Sequence, residues 1–318
     1  MSATDALAGW VPYRVRAGEV PPRVDWCHLG AERFTAPFFA LTIDACLRKP
    51  FNQLFAHETA IDALVEAERL RPGLAPTAFI FHCSRCGSTL YAQLAAALPQ
   101  TIAISEAPPI DHVLSAAAPD AERVDWLRAL VSALAQPRRA DDRYVFVKFD
   151  AWHIAHLALV QRAFPGVPCL FLYRDPAEVL ASQLRMPGMY MLPGVLDSRI
   201  TGIDVGTLSA LTREDQYARV LEWILAAGLA QAEAGRVTLV NYTELPGAAV
   251  RQLLEWCDLS DRDDMRRTLE HAARFDAKTP SLPFSPSPAT IATEAIRAAA
   301  GRLTELYERL EARRRARV

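Results

Sequence analysis

Residues 79–98, FIFHCSRCGSTLYAQLAAAL, constrain this chain more than any other stretch. Three β-forming apolar residues, Phe79, Ile80 and Phe81, run into a short polar loop, and good helix formers follow at once. The order is strand, tight loop, helix start. Such a loop leaves the first helical N–H groups unpaired and converging on one spot, where the aligned peptide dipoles favour an anion. Gly87 admits a close backbone approach, Ser88 and Thr89 offer hydroxyls, and Arg85 offers a planar cation suited to phosphate or sulfate oxygens. The same letters also fit a helix merely capped by Ser88 or Thr89. The nucleotide-loop pattern G-x-x-x-x-G-K-[ST] is absent from the sequence.

From residue 77 onward, short apolar runs alternate with helical patterns. Strands are expected over 101–105, 144–148, 168–173 and 237–241, and helices over 121–135, 152–164, 177–184, 213–234 and 246–257. Strand runs that are apolar without alternation point to an α/β fold with a central parallel sheet covered by helices on both faces. Ligands in such sheets gather outside the carboxyl ends of the strands. Residues 1–75 are harder to read. Prolines at 12, 21 and 22 precede two expected helices, one in FTAPFFALTIDACL and one over 57–70. The segment is treated as an accessory piece of a single domain spanning 1–318, with a core over 76–260 and a C-terminal loop and helix over 261–318. The Met-, Pro- and Gly-rich run 186–206 fits a lid, an acceptor-facing loop or a plain surface excursion. A last helix is expected from about Ala289, ending in a frayed, solvated tail at 313–317.

With 318 residues, a net charge of −2 and 51% hydrophobic residues, the chain reads as an ordinary globular protein with no general attraction to nucleic acid or anionic membranes. No run has signal-peptide or membrane-span character, so a cytoplasmic location is expected. Six scattered cysteines fit a reducing compartment. Cys83 and Cys86 form C-x-x-C, open to a redox or half-zinc reading, yet no second pair completes a metal site, and no metal is expected.

A second polar loop follows the strand over 168–173 and reads Tyr173-Arg-Asp-Pro, with Ser182 two helical turns beyond Arg174. Pro176 suits a first helical turn, so Arg174 stands at a strand end, either gripping an anion or helping to cap the helix. Together S-R-C-G-S-T-L, Y-R-D-P-x-x-x-x-x-S and V-N-Y-T-E-L, each after a strand, resemble the sulfotransferase superfamily, whose members use 3′-phosphoadenylyl sulfate (PAPS). The resemblance covers about residues 77–259, and the G-S-T-L helix start is most similar to the tyrosylprotein and bacterial branches. It implies a P-loop-like three-layer fold. It also implies that Arg85, Cys86, Gly87, Ser88 and Thr89 hold the 5′-phosphosulfate, that Arg174 and Ser182 hold the 3′-phosphate, and that Lys278 adds a late basic contact. Arg85 stands where the family commonly has lysine.

By the same resemblance Lys148 contacts the transferring sulfuryl group and Glu106 is the catalytic base. Asp150 is the rival base, standing where another branch keeps a histidine; His153 and His112 are weaker candidates. The implied acceptor is a small-molecule or peptide hydroxyl, or an amine, and the implied product is adenosine 3′,5′-bisphosphate. Two other readings stay open from the sequence: a nucleotide-binding or regulatory protein without turnover, and a small-molecule kinase. The acceptor and the oligomeric state are not legible.

Overall fold

The computed structural model describes residues 7–285 and 293–316. Two sheets form. Strands β1 (Trp10–Arg16), β2 (Arg23–His28) and β3 (His57–Ala60) make an antiparallel sheet in the order β1-β2-β3. Strands β4 (Ala78–His82), β5 (Thr101–Ser105), β6 (Tyr144–Lys148), β7 (Cys169–Tyr173) and β8 (Thr238–Asn241) make a five-stranded parallel sheet in the order β5-β6-β4-β7-β8. Every residue of β4, β5 and β7 is buried, the burial that their unbroken apolar runs demand. The chain steps to one side of β4 and then to the other. The loop after β4 therefore follows the strand at which the strand order reverses.

The chain divides into two compact units. Unit 1 comprises residues 1–80, 89–168 and 246–284. In it β5 pairs with β6 from Thr101↔Tyr144 to Ser105↔Lys148, and Ala78–Ile80 of β4 pairs with Phe146–Lys148 of β6. Helix Ile61–Leu70 packs on helix Asp120–Leu134, whose Trp126, Leu127, Leu130, Val131 and Leu134 are buried. Unit 2 comprises residues 81–88, 169–245 and 285–318. There β7 pairs with β8, and the long helix Arg213–Glu233 buries Tyr217, Val220, Ile224 and Leu225.

The antiparallel sheet corrects the reading of the first 75 residues. His57–Ala60 is a strand pairing with Arg23–Trp26, and the helix begins only at Ile61, because a long-range ladder overrides a locally helical sequence. The run expected as one helix over 152–164 opens as a 3₁₀ turn, Ala151–His156, and becomes α-helical at Leu157. The tail is no frayed end up to Arg315. Helix Thr304–Arg315 carries Arg314, only 18% exposed, paired with Glu311 at 2.8 Å and Glu244 at 3.1 Å. The expected helix start at Ala289 lies outside the described residues, and the described helix there is Glu294–Gly301. In the 186–206 run, Tyr190 is buried while Met186 and Met189 are exposed, and two short helices, Ser198–Thr201 and Val205–Ser209, follow. No helix among the described residues is long and apolar enough to cross a membrane.

Candidate functional site

The loop after β4 is built from left-handed backbone. Ser84 (φ 68°), Arg85 (φ 51°) and Gly87 (φ 81°) all have positive φ, and the helix Ser88–Ala97 starts immediately. Non-glycine residues adopt this region at a cost, so other contacts hold them there. The amide of Cys83 donates to the Leu172 carbonyl at 2.9 Å, and the Cys86 thiol donates to the same carbonyl at 3.3 Å. That places the Cys86 side chain inward on β7 and leaves only its backbone for a ligand. Cys83 is equally buried, and burial pushes its thiol up, which keeps it protonated and inert. A Cβ on Gly87 would lie 2.4 Å from Leu245 Cδ1 and 3.2 Å from Tyr242 Cδ2, so glycine is needed for packing as well as for φ.

The second loop meets the first within unit 2. Arg174 Nη1 donates to the Arg85 carbonyl at 3.3 Å, and its guanidinium lies over the Tyr242 ring at 4.0 Å. Asp175 caps the helix Pro176–Arg185 by accepting from the amides of Ala177 (2.9 Å) and Glu178 (3.1 Å), so the capping role read for this motif falls to Asp175. Arg174 also pairs with exposed Glu178. Beside half-buried Ser182, the buried Gln183 donates to Ser84 Oγ at 3.1 Å and to Tyr190 Oη at 2.7 Å. Arg85 donates to the Met186 carbonyl. Arg85, Gly87, Ser88, Arg174 and Ser182 thus belong to one unit, and the two arginine loops touch where the Arg174 side chain meets the Arg85 carbonyl.

The ends of β7 and β8 are tied down by the C-terminal helix. Glu311 accepts from Tyr173 Oη, from Asn241 Nδ2 at 2.9 Å and from Arg314. Burial opposes its charge, but these hydrogen bonds outweigh burial and hold its carboxyl at about 2. Arg174 and Tyr242 are the next residues along from Tyr173 and Asn241, so this knot fixes where both start. Neither Tyr242 nor Glu311 was legible as a site-shaping residue. An aromatic directly after a strand that ends in asparagine is the one local hint, and Glu311 has none.

Unit 1 gathers the other candidates at the carboxyl ends of β5 and β6. Glu106 has φ 51°, its amide donates to the Lys148 carbonyl at 2.8 Å, and its Oε1 lies 2.5 Å from Lys148 Nζ. Lys148 is 1% exposed and its ammonium also sits 5.2 Å from the Phe38 ring centroid. Asp150 stands at the N-cap position of the Ala151–His156 turn, and burial raises its carboxyl to about 6. His153 Nδ1 accepts from the Asp150 amide at 3.2 Å, so Nε2 carries the proton and donates to Asp111 Oδ1 at 2.8 Å. Trp152 Nε1 donates to the same oxygen at 2.7 Å. His112 Nδ1 accepts from the Val15 amide at 3.2 Å, which is a structural duty. Thr89 is in unit 1, as is Lys278, an exposed residue whose amide is capped by Asp276 at 2.9 Å. Among the described residues no group of three or more side chains is arranged to hold a metal ion.

No protein-family model matches the chain, and no curated protein matches it. Solved structures similar to it include sulfotransferase STF9 from Mycobacterium avium, at 13% identity and a TM-score of 0.48, over 77% of this chain and 81% of that one. Sulfotransferase STF1 from Mycobacterium tuberculosis H37Rv is 15% identical with a TM-score of 0.41, over 76% and 82%. The sulfotransferase domain from the curacin biosynthetic pathway is 16% identical with a TM-score of 0.38, over 73% and 98%.

Proposed function

We propose that this chain is a sulfotransferase that moves a sulfuryl group from PAPS to a hydroxyl or amine of a small-molecule or peptide acceptor. The observation that carries the reading is the meeting of Arg174 with Arg85 in one unit, beside a loop of left-handed residues that ends in a helix start. Two guanidinium forks, two loop hydroxyls and converging amides form a donor set for a ligand bearing two separate anionic groups. Bound PAPS supplies an activated sulfuryl group on a phosphate oxygen.

In this reading Arg85 and the amides of the loop hold the leaving phosphate and stabilise charge growing on its bridging oxygen. Arg174 and Ser182 hold the 3′-phosphate and so fix the nucleotide's register. The sulfur–oxygen bond to phosphate breaks as the bond to the acceptor oxygen or nitrogen forms, and a carboxylate takes the acceptor's proton. Glu106 is the base, with Lys148 orienting it and neutralising developing charge. Asp150, raised toward neutrality, is the competing base, because a base works best when its pKa lies near the working pH.

The test is thermal. Adenosine 3′,5′-bisphosphate raises the melting temperature without magnesium, and Arg174→Ala removes most of the shift. A shift that requires magnesium and ATP instead identifies a kinase. Nucleotide binding with no transfer to any of a panel of phenols, alcohols and amines leaves a binding protein.

A further inference from the structure

Unit 1 contains a cavity of about 250 Å³ whose lining shares no residue with the candidate site described above. Its walls include Trp10, Trp26, Ala31, Ala67 and Ala133, and its polar lining includes Gln136 and Arg138. The turn that carries Arg138 leads into the start of β6, whereas Lys148 ends that strand. Five residues of strand separate the two ends by about 13 Å. The cavity therefore lies on the amino-end side of the sheet, away from the Glu106–Lys148 pair.

Two features give it ligand chemistry. The first is an aromatic wall. Trp26 is 3% exposed and its Nε1 is already spent on Thr59 Oγ1 at 2.9 Å, while Trp10 is wedged against His28 and His57 with ring centroids 5.2 and 5.0 Å away. These rings offer carbon surface and little else. The second is a cation without an anion. Arg138 stacks over Phe34 at 4.8 Å and reaches only the Leu134 carbonyl, at 3.3 Å. Among the described residues it makes no ion pair. Burial lowers its pKa to about 10, and the nearby Asp142 offsets this only in part. The Oδ2 of Asp142 is taken by the amides of Arg138 and Arg139, at 2.8 and 3.0 Å. A partly dehydrated guanidinium that hydrogen-bonds no carboxylate is costly, and a bound carboxylate recovers that cost through two parallel hydrogen bonds. Exposed Arg71 and half-buried Glu68 at the lining carry opposite charges, which leaves Arg138 as the net charge of the lining.

From this we infer that the cavity is a second binding site, which takes a flat apolar ring system bearing one carboxylate. It acts independently of the nucleotide-binding reading, and it is an effector or storage site rather than a place of chemistry, since no nucleophile or general base of unusual environment lines it.

Titration of the full chain with 2-naphthoate by isothermal calorimetry tests the inference. The expected result is saturable one-to-one binding, at least tenfold weaker for the neutral 2-naphthamide, weakened by a similar factor in Arg138→Gln, and lost in Ala133→Phe, which fills the cavity. Saturating adenosine 3′,5′-bisphosphate leaves the binding in place. Absence of saturable binding, equal affinity for the amide, displacement by the nucleotide, or full affinity in a folded Arg138→Gln variant overturns the inference. If Arg138→Gln fails to fold, judged by circular dichroism, the amide comparison and Ala133→Phe decide.

Discussion

The loop after β4 and the Glu106–Lys148 pair occupy like positions, each just past the carboxyl end of a parallel strand, and each uses a non-glycine residue with positive φ. They are held in opposite ways. The loop is held by backbone: the Leu172 carbonyl takes both Cys83 and Cys86, and Gly87 fits a slot against Leu245. The pair is held by charge, with a buried ammonium 2.5 Å from a carboxylate. Geometry made from backbone survives most side-chain changes and fails where a Cβ intrudes. Geometry made from an ion pair fails when either partner goes, and returns when both go.

Three experiments would break or sharpen that contrast. The largest effect is expected at Lys148. Lys148→Ala leaves Glu106 without its cation and opens a void, at a cost of about 3 kcal/mol or more in unfolding free energy. Lys148→Met with Glu106→Gln should recover much of it, and a double-mutant cycle in urea measures the coupling. Additive losses would remove the charge-held description. Next comes Gly87→Ala. A left-handed alanine costs about 1–2 kcal/mol and the clash with Leu245 adds roughly as much again. Calorimetry should show both a lower melting temperature and loss of the nucleotide shift; an unaltered nucleotide shift would mean that the loop does not bind the anion.

The smallest effect should be a gain. The Asp150 carboxyl sits at about 6 in the folded chain against an ordinary value near 3.8, so the folded state binds more protons between those values. Stability then falls as pH rises from about 4 through 6, and the cost is fully present above 6. Asp150→Asn should therefore stabilise the chain at pH 7.5 by on the order of 2 kcal/mol, with the advantage vanishing by pH 4. Equal unfolding free energies at pH 7.5 would show that burial of Asp150 is not resisted by its charge.

The parallel sheet was legible because its strands announce themselves locally. VFVK in β6 and LFLY in β7 are short apolar runs fenced by polar turns, and β5 and β6 begin and end where the letters place them. The antiparallel sheet was not. Pro12 interrupts the alternation of β1 at a bulge, and HETA runs straight into a helical sequence, so only pairing with distant Arg23–Trp26 makes it a strand. The site divides along the same line. Arg85, Gly87 and Ser88 belong to one turn and are read together. The Tyr242 ring reaches Arg174 from 68 residues away, and Arg138 matters only because the fold stacks it over Phe34 at the wall of a cavity that also holds Trp10 and Trp26.

Glu311 deserves a last consequence. Because the carboxylate that fastens Tyr173 and Asn241 lies 138 and 70 residues further along the chain, the peg for those two strand tips is synthesised well after the strands themselves. Synthesis order thus postpones the completion of unit 2, and a nascent chain released early would carry both arginine motifs in full yet lack the peg that keeps them in place.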